Sequence, residues 1–316
     1  MYPCEADPGF GSFVKAQIDS LQALGVQCDV FFIEGYRSQL NYLKAIPQII
    51  NRVKTGQYDL VHAHYGLSGL AAWPQKCVPL VVSYCGDDLY GHANSEGKPT
   101  PSSLFWVYWH KLLSKYVDAC IVKSAAMGRL LPINSAVVIA NGVDFSRFLP
   151  MDQAACRQQL KLDPQTRYIL FPYNPSRKRK NYAAVSAALP MIQAALSVPV
   201  EILVVKGVPH SQLPVYMNAA DAMILASCWE GSPNAVKEAM ACNLPVVSTD
   251  VGDVPELFAG LDDHFICLPE PDDIAKQLLK VLTHPKRSRA REAMNDLRME
   301  RVAQRVVDVY TRVLKK

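Results

Sequence analysis

No apolar run in this 316-residue sequence approaches the roughly 20 residues that span a bilayer, and no leader pattern is visible at its start. Charge of one sign is scarce. The formal net charge is only +4, too small to argue for nucleic acid and compatible with acidic small molecules or an anionic membrane surface. The nine cysteines (Cys4, Cys28, Cys77, Cys85, Cys120, Cys156, Cys228, Cys242 and Cys267) never fall in a C-x-x-C spacing. Clustered zinc ligands are missing, so no metal site is expected. Odd in number and scattered, the cysteines read as buried free thiols of a reducing compartment. No G-x-G-x-x-G follows a strand-like run, which disfavours a nicotinamide oxidoreductase. There is no internal repeat and no low-complexity tract. These absences point to a cytoplasmic protein, or one peripheral on the inner face of the cell membrane.

What is present is globular: half the residues are apolar and a fifth are charged. The length suits two domains. Near-continuous apolar runs at 28–33, 59–63, 79–84, 118–122 and 136–140 read as strands covered on both faces. Helical patterns intervene at Phe13–Leu24, Leu40–Val53 and Leu104–Tyr116. The rhythm restarts with strands at 168–171, 201–205, 222–226, 245–249 and 265–268, and helices at Tyr182–Ala195, Pro233–Cys242 and Asp272–Leu282. This alternation predicts an α/β fold of two Rossmann-like, doubly wound parallel-sheet domains. The linker-like segment Asn141–Asp152 divides them, giving domains at 1–145 and 146–300, with a closing helix at 301–316. A Rossmann unit normally begins with a strand. This chain opens on a loop (Tyr2-Pro3-Cys4-Glu5, then Pro8-Gly9-Phe10-Gly11), so a strand and its lead-in, about ten residues, are expected to be missing.

The stretch 222–257, AMILASCWEGSPNAVKEAMACNLPVVSTDVGDVPEL, is the most informative. A buried strand ends near Ser227, a turn holds Glu230, Gly231 and Ser232, and Pro233 suits the first helical position. Asn243 suits a left-handed stop. The helix start therefore lies at the carboxyl ends of parallel strands, where open α/β sheets bind ligands. Its free N–H groups and dipole suit a phosphate, and Gly231 permits close approach. Glu230 and Glu238 can each accept hydrogen bonds from vicinal hydroxyls of one extended ligand, with ribose and hexose as natural partners. The alternative is a pair of solvated helix-end charges.

Glu230 and Glu238 match the E-x7-E motif of GT-B glycosyltransferases, particularly family 4, and the block from Glu230 to Glu256 resembles that family's donor site nearly throughout. Asn141-Gly142-Val143-Asp144, then Arg147-Phe148 and Pro150, resembles its interdomain signature. The chain is most similar to the bacterial polysaccharide subgroup that includes teichuronic-acid-type transferases. The resemblance implies two domains facing across a cleft, the first for the acceptor and the second for the nucleotide-sugar. It implies a retaining, metal-independent hexosyltransferase with a nucleoside diphosphate-sugar donor, no cofactor, and a saccharide or lipid-linked acceptor in surface polysaccharide synthesis. By analogy Glu238 binds the ribose, Glu230 faces the transferred sugar, and Gly231, Ser232, Pro233 and Asn234 line sugar and diphosphate.

The loop 171–182 carries Arg177, Lys178, Arg179 and Lys180. Fixed cations there stabilise a departing diphosphate, and Arg177 and Lys180 best match the family's pair. A solvated basic run is the plain alternative. Val208 and Pro209 are candidates to hold the base; Lys206 and His210 are either donor contacts or ordinary loop residues. In the first domain Gly9, Phe10 and Gly11 precede a helix. His62 and His64 end a strand and are expected on opposite faces, with His64 toward the cleft. Cys85 stands where the family often has histidine, which puts the sugar contacts in question, and Asp88 is expected as a hydrogen-bonding loop residue facing the cleft. The aromatic helix with Lys111 and Lys115 is read either as packed on the sheet or as resting on a membrane surface. Two rivals remain for the whole chain: a sugar-nucleotide epimerase on the same architecture, and a catalytically silent nucleotide-sugar-binding subunit.

Overall fold

The computed structural model describes residues 11–92, 94 and 99–315. The chain folds as two compact units, the first running to Gly142 and resuming at Met299, the second spanning Val143–Arg298.

In the first unit a four-stranded parallel sheet, order β1-β2-β3-β4, is formed by β1 (Val61–His64), β2 (Leu80–Ser83), β3 (Ala119–Val122) and β4 (Val137–Val138). Its helices are α1 (Ser12–Ala23), α2 (Leu40–Thr55), α3 (Gly66–Ala72), α4 (Asp87–Tyr90), α5 (Pro101–Leu113) and α6 (Ala125–Arg129). Successive strand residues go to opposite faces. Val82, Cys120 and Val122 pack with α2 and α3, while Val81, Ile121 and Ile139 meet Leu21 of α1 on the other side. The segment 28–33, expected as a strand, makes no ladder with any described residue, and a strand exists only through a partner. It nonetheless packs against the core: Phe31 and Ile33 lie on one cluster and Cys28 on the other.

The second unit holds a five-stranded parallel sheet of β5 (Arg167–Phe171), β6 (Val200–Val204), β7 (Ala222–Leu225), β8 (Val246–Thr249) and β9 (Phe265–Cys267), in the order β6-β5-β7-β8-β9. Its helices are α7 (Gln153–Leu160), α8 (Tyr182–Ala195), α9 (Leu213–Ala219), α10 (Asn234–Ala241), α11 (Val254–Phe258), α12 (Pro271–Leu282) and α13 (Ala290–Ala293). Leu170, Met223, Leu225 and Val246 face one layer of helices, and Ile169, Phe171, Ile224 and Val247 the other. This two-sided burial is why the strands read as unbroken apolar runs.

The final helix α14 (Met299–Leu314) belongs to the first unit. Its buried stripe of Val302, Ala303, Val306, Val309, Tyr310 and Val313 packs onto the face bearing Val81 and Ile121. Each large apolar side chain buried there contributes roughly 1.5–3 kcal/mol, so this helix is part of that unit's core.

Among the described residues no helix is long and apolar enough to cross a membrane. All described cysteines are free thiols, but they are not uniformly buried: Cys77 and Cys228 are exposed, and Cys28 and Cys85 are half-buried. Both exposed cysteines sit in turns, outside the apolar runs that suggested burial.

Candidate functional site

The order of the second sheet reverses between β5 and β7. Loops leaving adjacent strands at such a point diverge and leave a crevice beyond the strands' carboxyl ends. The loop after β5 carries the basic run, and the loop after β7 carries Glu230. A backbone bond from Cys228 N to the Arg179 carbonyl, 2.9 Å, ties the two loops together.

The basic loop closes through a 3₁₀ turn at Lys178–Lys180. With three residues per turn, Arg177 and Lys178 are left exposed while Arg179 is half-buried and Lys180 buried. Of the expected pair, Lys180 faces Glu230 and Arg177 stays exposed, while the arginine that reaches the same carboxylate is Arg179. Lys180 Nζ donates to Glu230 Oε1 at 2.5 Å, and Arg179 donates to Glu230 Oε2 and to the Trp229 carbonyl, each at 2.8 Å. Burial opposes ionisation of Glu230, but the Lys180 and Arg179 charges outweigh it and hold the carboxyl below its usual range. Burial pulls the Lys180 ammonium down from its usual value, partly offset by Glu230. The ammonium also lies 3.6 Å from the Tyr173 ring centroid, in cation–π contact.

Glu238 is the fifth residue of α10, and its carboxylate Oε1 lies 2.8 Å from His210 Nε2. His210 follows Pro209, which caps the short 3₁₀ turn His210–Gln212, while Val208 packs on the core beneath. Phe148 meets the imidazole edge-on at 5.2 Å. Of the two open readings, then, His210 joins the glutamate and Lys206 stays exposed. The hydrogen bond to Glu238 raises the His210 pKa above its ordinary 6.5; burial and Arg147 act against this, and Asp144 acts with it. A histidine raised in the folded state contributes stability that is fully present below its unfolded pKa and lost as pH rises through the folded value. The stability difference between wild type and His210→Gln should accordingly be largest near pH 6 and shrink toward pH 8.5. Chemical denaturation across that range checks it; a flat difference would show that the imidazole is not charged against Glu238.

Between the two glutamates lies the turn Gly231-Ser232-Pro233. Pro233 is extended, with ψ 110°, so α10 starts one residue later than expected, at Asn234. Ser232 Oγ donates to Asp253 at 2.6 Å and accepts from Lys237 Nζ at 2.8 Å. Gly252 (φ 64°) backs the turn so tightly that a Cβ there would come within 2.9 Å of the Gly231 carbonyl. Asn243 is left-handed, at φ 55°, ending the helix as expected. Three buried polar atoms around this turn have no partner: Ser227 Oγ, Trp229 Nε1 and Asp253 Oδ1. Native proteins leave few such groups, and these three belong to the segments that follow the adjacent strands β7 and β8.

The first-unit candidates are placed differently. Gly9 and Phe10 lie outside the described residues. Gly11 caps α1 at φ 68°, a conformation that favours glycine. His62 and His64 share a face, because residues two apart in a strand point the same way. Their rings stack at 4.3 Å, which corrects the expectation that they diverge. His62 is held by Tyr310 and Ser83 at 2.6 and 2.8 Å, and burial then Lys123 push its pKa down to about 3. His64 is depressed too, by burial first and then by His62 and Lys123, and its Nδ1 is buried without a partner. Asp88 does not present its carboxylate outward. It is buried, and its oxygens accept from the backbone N–H groups of Cys85, Gly86 and Gly66, fastening the loop. Cys85 is half-buried, its thiol pushed up to about 12 by burial and then by Asp88.

The sequence reading missed Arg179, Tyr173, Lys237 and Asp253. Lys237 is fully buried, whereas a lysine within a helix ordinarily reads as solvated. Its place on the same turn of α10 as Glu238 was the available signal.

Two family models match the chain: "Glycosyltransferase Family 4" over residues 9–147 and "Glycosyl transferases group 1" over residues 191–296. Similar proteins include the lipopolysaccharide core biosynthesis mannosyltransferase LpsB of Rhizobium meliloti (strain 1021). It is 27% identical over 52% of this chain and 55% of its own length. The putative teichuronic acid biosynthesis glycosyltransferase TuaC of Bacillus subtilis (strain 168) is 25% identical over 85% and 84%. The chain spans only 53–64% of the length of the first three relatives. Among solved structures, the Anabaena protein HepE in complex with UDP and glucose superposes with a TM-score of 0.70, covering 97% of each chain at 17% identity. Sucrose-phosphate synthase from Thermosynechococcus elongatus gives 0.72, covering 88% of this chain and 80% of that one at 20% identity. The two glycosyltransferase family models thus match successive parts of the chain, the first mostly in its first unit and the second in its second, and the solved neighbours share its fold of two parallel-sheet units.

Proposed function

We propose that the protein is a retaining hexosyltransferase that uses a nucleoside diphosphate-sugar and serves bacterial surface polysaccharide synthesis. The observation that carries this reading is the pair of buried glutamates flanking the start of α10 at the switch point of the second sheet, one clamped by two cations and the other held by a histidine. Glu238 would hold the ribose, with Val208 and Pro209 beside the base. The Ser232–Asn234 backbone and the helix start would receive the diphosphate. Glu230, Gly231 and the cations Lys180, Arg179 and Arg177 would face the sugar and the departing phosphate. Those fixed cations stabilise the leaving group as its charge grows, so no metal or cofactor is required. The sugar's bond to the diphosphate breaks as the acceptor hydroxyl attacks from the same face, and the leaving phosphate oxygen takes the hydroxyl proton. The acceptor is a saccharide or lipid-linked saccharide.

The test is a thermal-shift screen of nucleoside diphosphate-sugars followed by product analysis with candidate acceptors. Native-state binding raises apparent stability, so one donor family should shift the melting temperature and yield a glycosylated product. Epimerised donor without acceptor, or binding with no turnover, would establish one of the rival readings.

The same reading includes peripheral contact with an anionic membrane through α5. Leu104, Phe105, Tyr108 and Trp109 are 41–63% exposed on it, beside Lys111 and Lys115. Amphipathic aromatics with basic neighbours suit the headgroup region. Co-sedimentation with anionic vesicles should be lost on Phe105→Ser with Trp109→Ser; retention by that double variant would remove α5 from the proposal.

A further inference from the structure

The opposite end of the second sheet holds a cavity of about 690 Å³, lined by Arg167 at the start of β5, Asp221 just before β7, and the segment Thr283–Arg287 after α12. β5 is five residues long. At about 3.3 Å per residue this cavity lies roughly 15 Å from the glutamate crevice, beyond the other ends of the same strands.

Its electrostatics are lopsided. Asp221 is the one acid among its lining residues, and that carboxylate is already committed. It accepts from Arg157 and from the Tyr168 backbone N–H, each at 2.8 Å, and from Gln153 at 3.2 Å. Arg157 is itself consumed, since its remaining nitrogens donate to the Ala219 and Pro164 carbonyls. Arg167, Lys286 and Arg287 are left without a carboxylate of their own. Arg167 reaches Asp221 only at 4.0 Å, and its Nε is buried with no partner. Arg287 is anchored by the Met217 and Asn218 carbonyls, which fix the guanidinium without neutralising it. Lys286 is exposed at the rim, beside His284.

A solvated basic patch would have its donors in water. Here Arg167 is half-buried, with its Nε unpaired and its guanidinium no closer than 4.0 Å to Asp221, and a second guanidinium is held by backbone carbonyls. Guanidinium groups are the side chains best matched to the oxygens of a phosphate group. We propose that this cavity is a second, non-catalytic anion site that takes a small phosphate-bearing molecule, with Arg167 and Arg287 gripping the phosphoryl oxygens and Lys286 closing the rim. Free phosphate and a phosphate ester share that chemistry, and the volume leaves room for an attached sugar.

The experiment is isothermal titration of the full chain at low ionic strength with inorganic phosphate and, separately, glucose 6-phosphate. It is run on wild type, Arg167→Gln, Lys286→Gln and, for the phosphate-facing loop of the crevice, the exposed Arg177→Gln. Saturable one-to-one binding is expected. Each cavity variant should weaken it about tenfold or more, as expected for loss of one charge-assisted hydrogen bond, while Arg177→Gln leaves it unchanged. Preference for the ester would identify the ester as the ligand, and equal binding would identify the phosphate alone. Because Lys286 is exposed, its variant does not depend on how well Arg167→Gln folds. No binding at millimolar ligand, binding undiminished in both cavity variants, or binding lost in Arg177→Gln would overturn the proposal. The last would assign the anion to the crevice at the opposite ends of the strands.

Discussion

Glu238→Ala should weaken nucleotide-sugar binding by about two to four orders of magnitude while leaving the fold intact. The magnitude follows from what the carboxylate would do. Two charge-assisted hydrogen bonds to vicinal ribose hydroxyls are worth about 1.5–3 kcal/mol each, and each 1.4 kcal/mol is about tenfold. The fold survives because Glu238 touches one partner, His210, whose side chain is itself a third exposed. Glu230 would be a poorer choice for this test. Its carboxylate neutralises a buried lysine and a half-buried arginine, and removing one partner of a buried pair costs about 3–5 kcal/mol of stability. Lost binding in a Glu230 variant would therefore be confounded with unfolding. Glu238→Gln supplies the graded control, since the amide keeps one acceptor oxygen and should recover part of the affinity. The measurement is donor-dependent thermal stabilisation together with a direct binding isotherm. Affinity in Glu238→Ala equal to wild type would remove this carboxylate from the donor site and with it the proposed reading.

The elements were legible wherever burial on both faces or a helical repeat governs the local sequence. Helix Tyr182–Ala195 has the same limits in the sequence pattern and in the structure, and each apolar run from 59–63 to 265–268 overlaps an assigned strand. The glutamate spacing placed both acids at one helix start because Pro233 and Asn243 punctuate that helix independently of tertiary context. What escaped was decided by geometry finer than composition. Four basic residues in a row look equivalent, and only the 3₁₀ turn sorts Arg179 and Lys180 inward from Arg177 and Lys178. The two histidines were misplaced by an error of strand parity, not by any ambiguity in the sequence. The run 28–33 is apolar enough for a strand, but strand formation depends on a neighbour that local pattern does not supply. Lys237 and Asp88 were unreadable for a common reason. A buried charge is tolerated only where specific partners meet it, and those partners lie up to 22 residues away in sequence.

The largest stability effect expected in the second unit comes from Arg157→Met. Arg157 joins α7 to the starts of β5 and β7: its Nε and two terminal nitrogens donate to the Ala219 carbonyl, the Pro164 carbonyl and Asp221, at 2.8–3.0 Å. Arg157 and Asp221 side chains are 8% and 2% exposed, so water cannot replace these bonds. Methionine keeps much of the apolar stem but leaves two carbonyls and a carboxylate short of a donor. Breaking a buried pair from one side typically costs about 3–5 kcal/mol. Asp221 would retain the Tyr168 N–H and the Gln153 amide, which places the expectation toward the lower end of that range. The double variant Arg157→Met with Asp221→Asn should recover part of the loss, because it removes the uncompensated charge along with its partner. Equilibrium denaturation of the single variants and the double variant gives the coupling directly. A single-variant loss below about 1 kcal/mol, the level of an exposed ion pair, would mean that Arg157 is not the tie between α7 and the sheet that its geometry indicates.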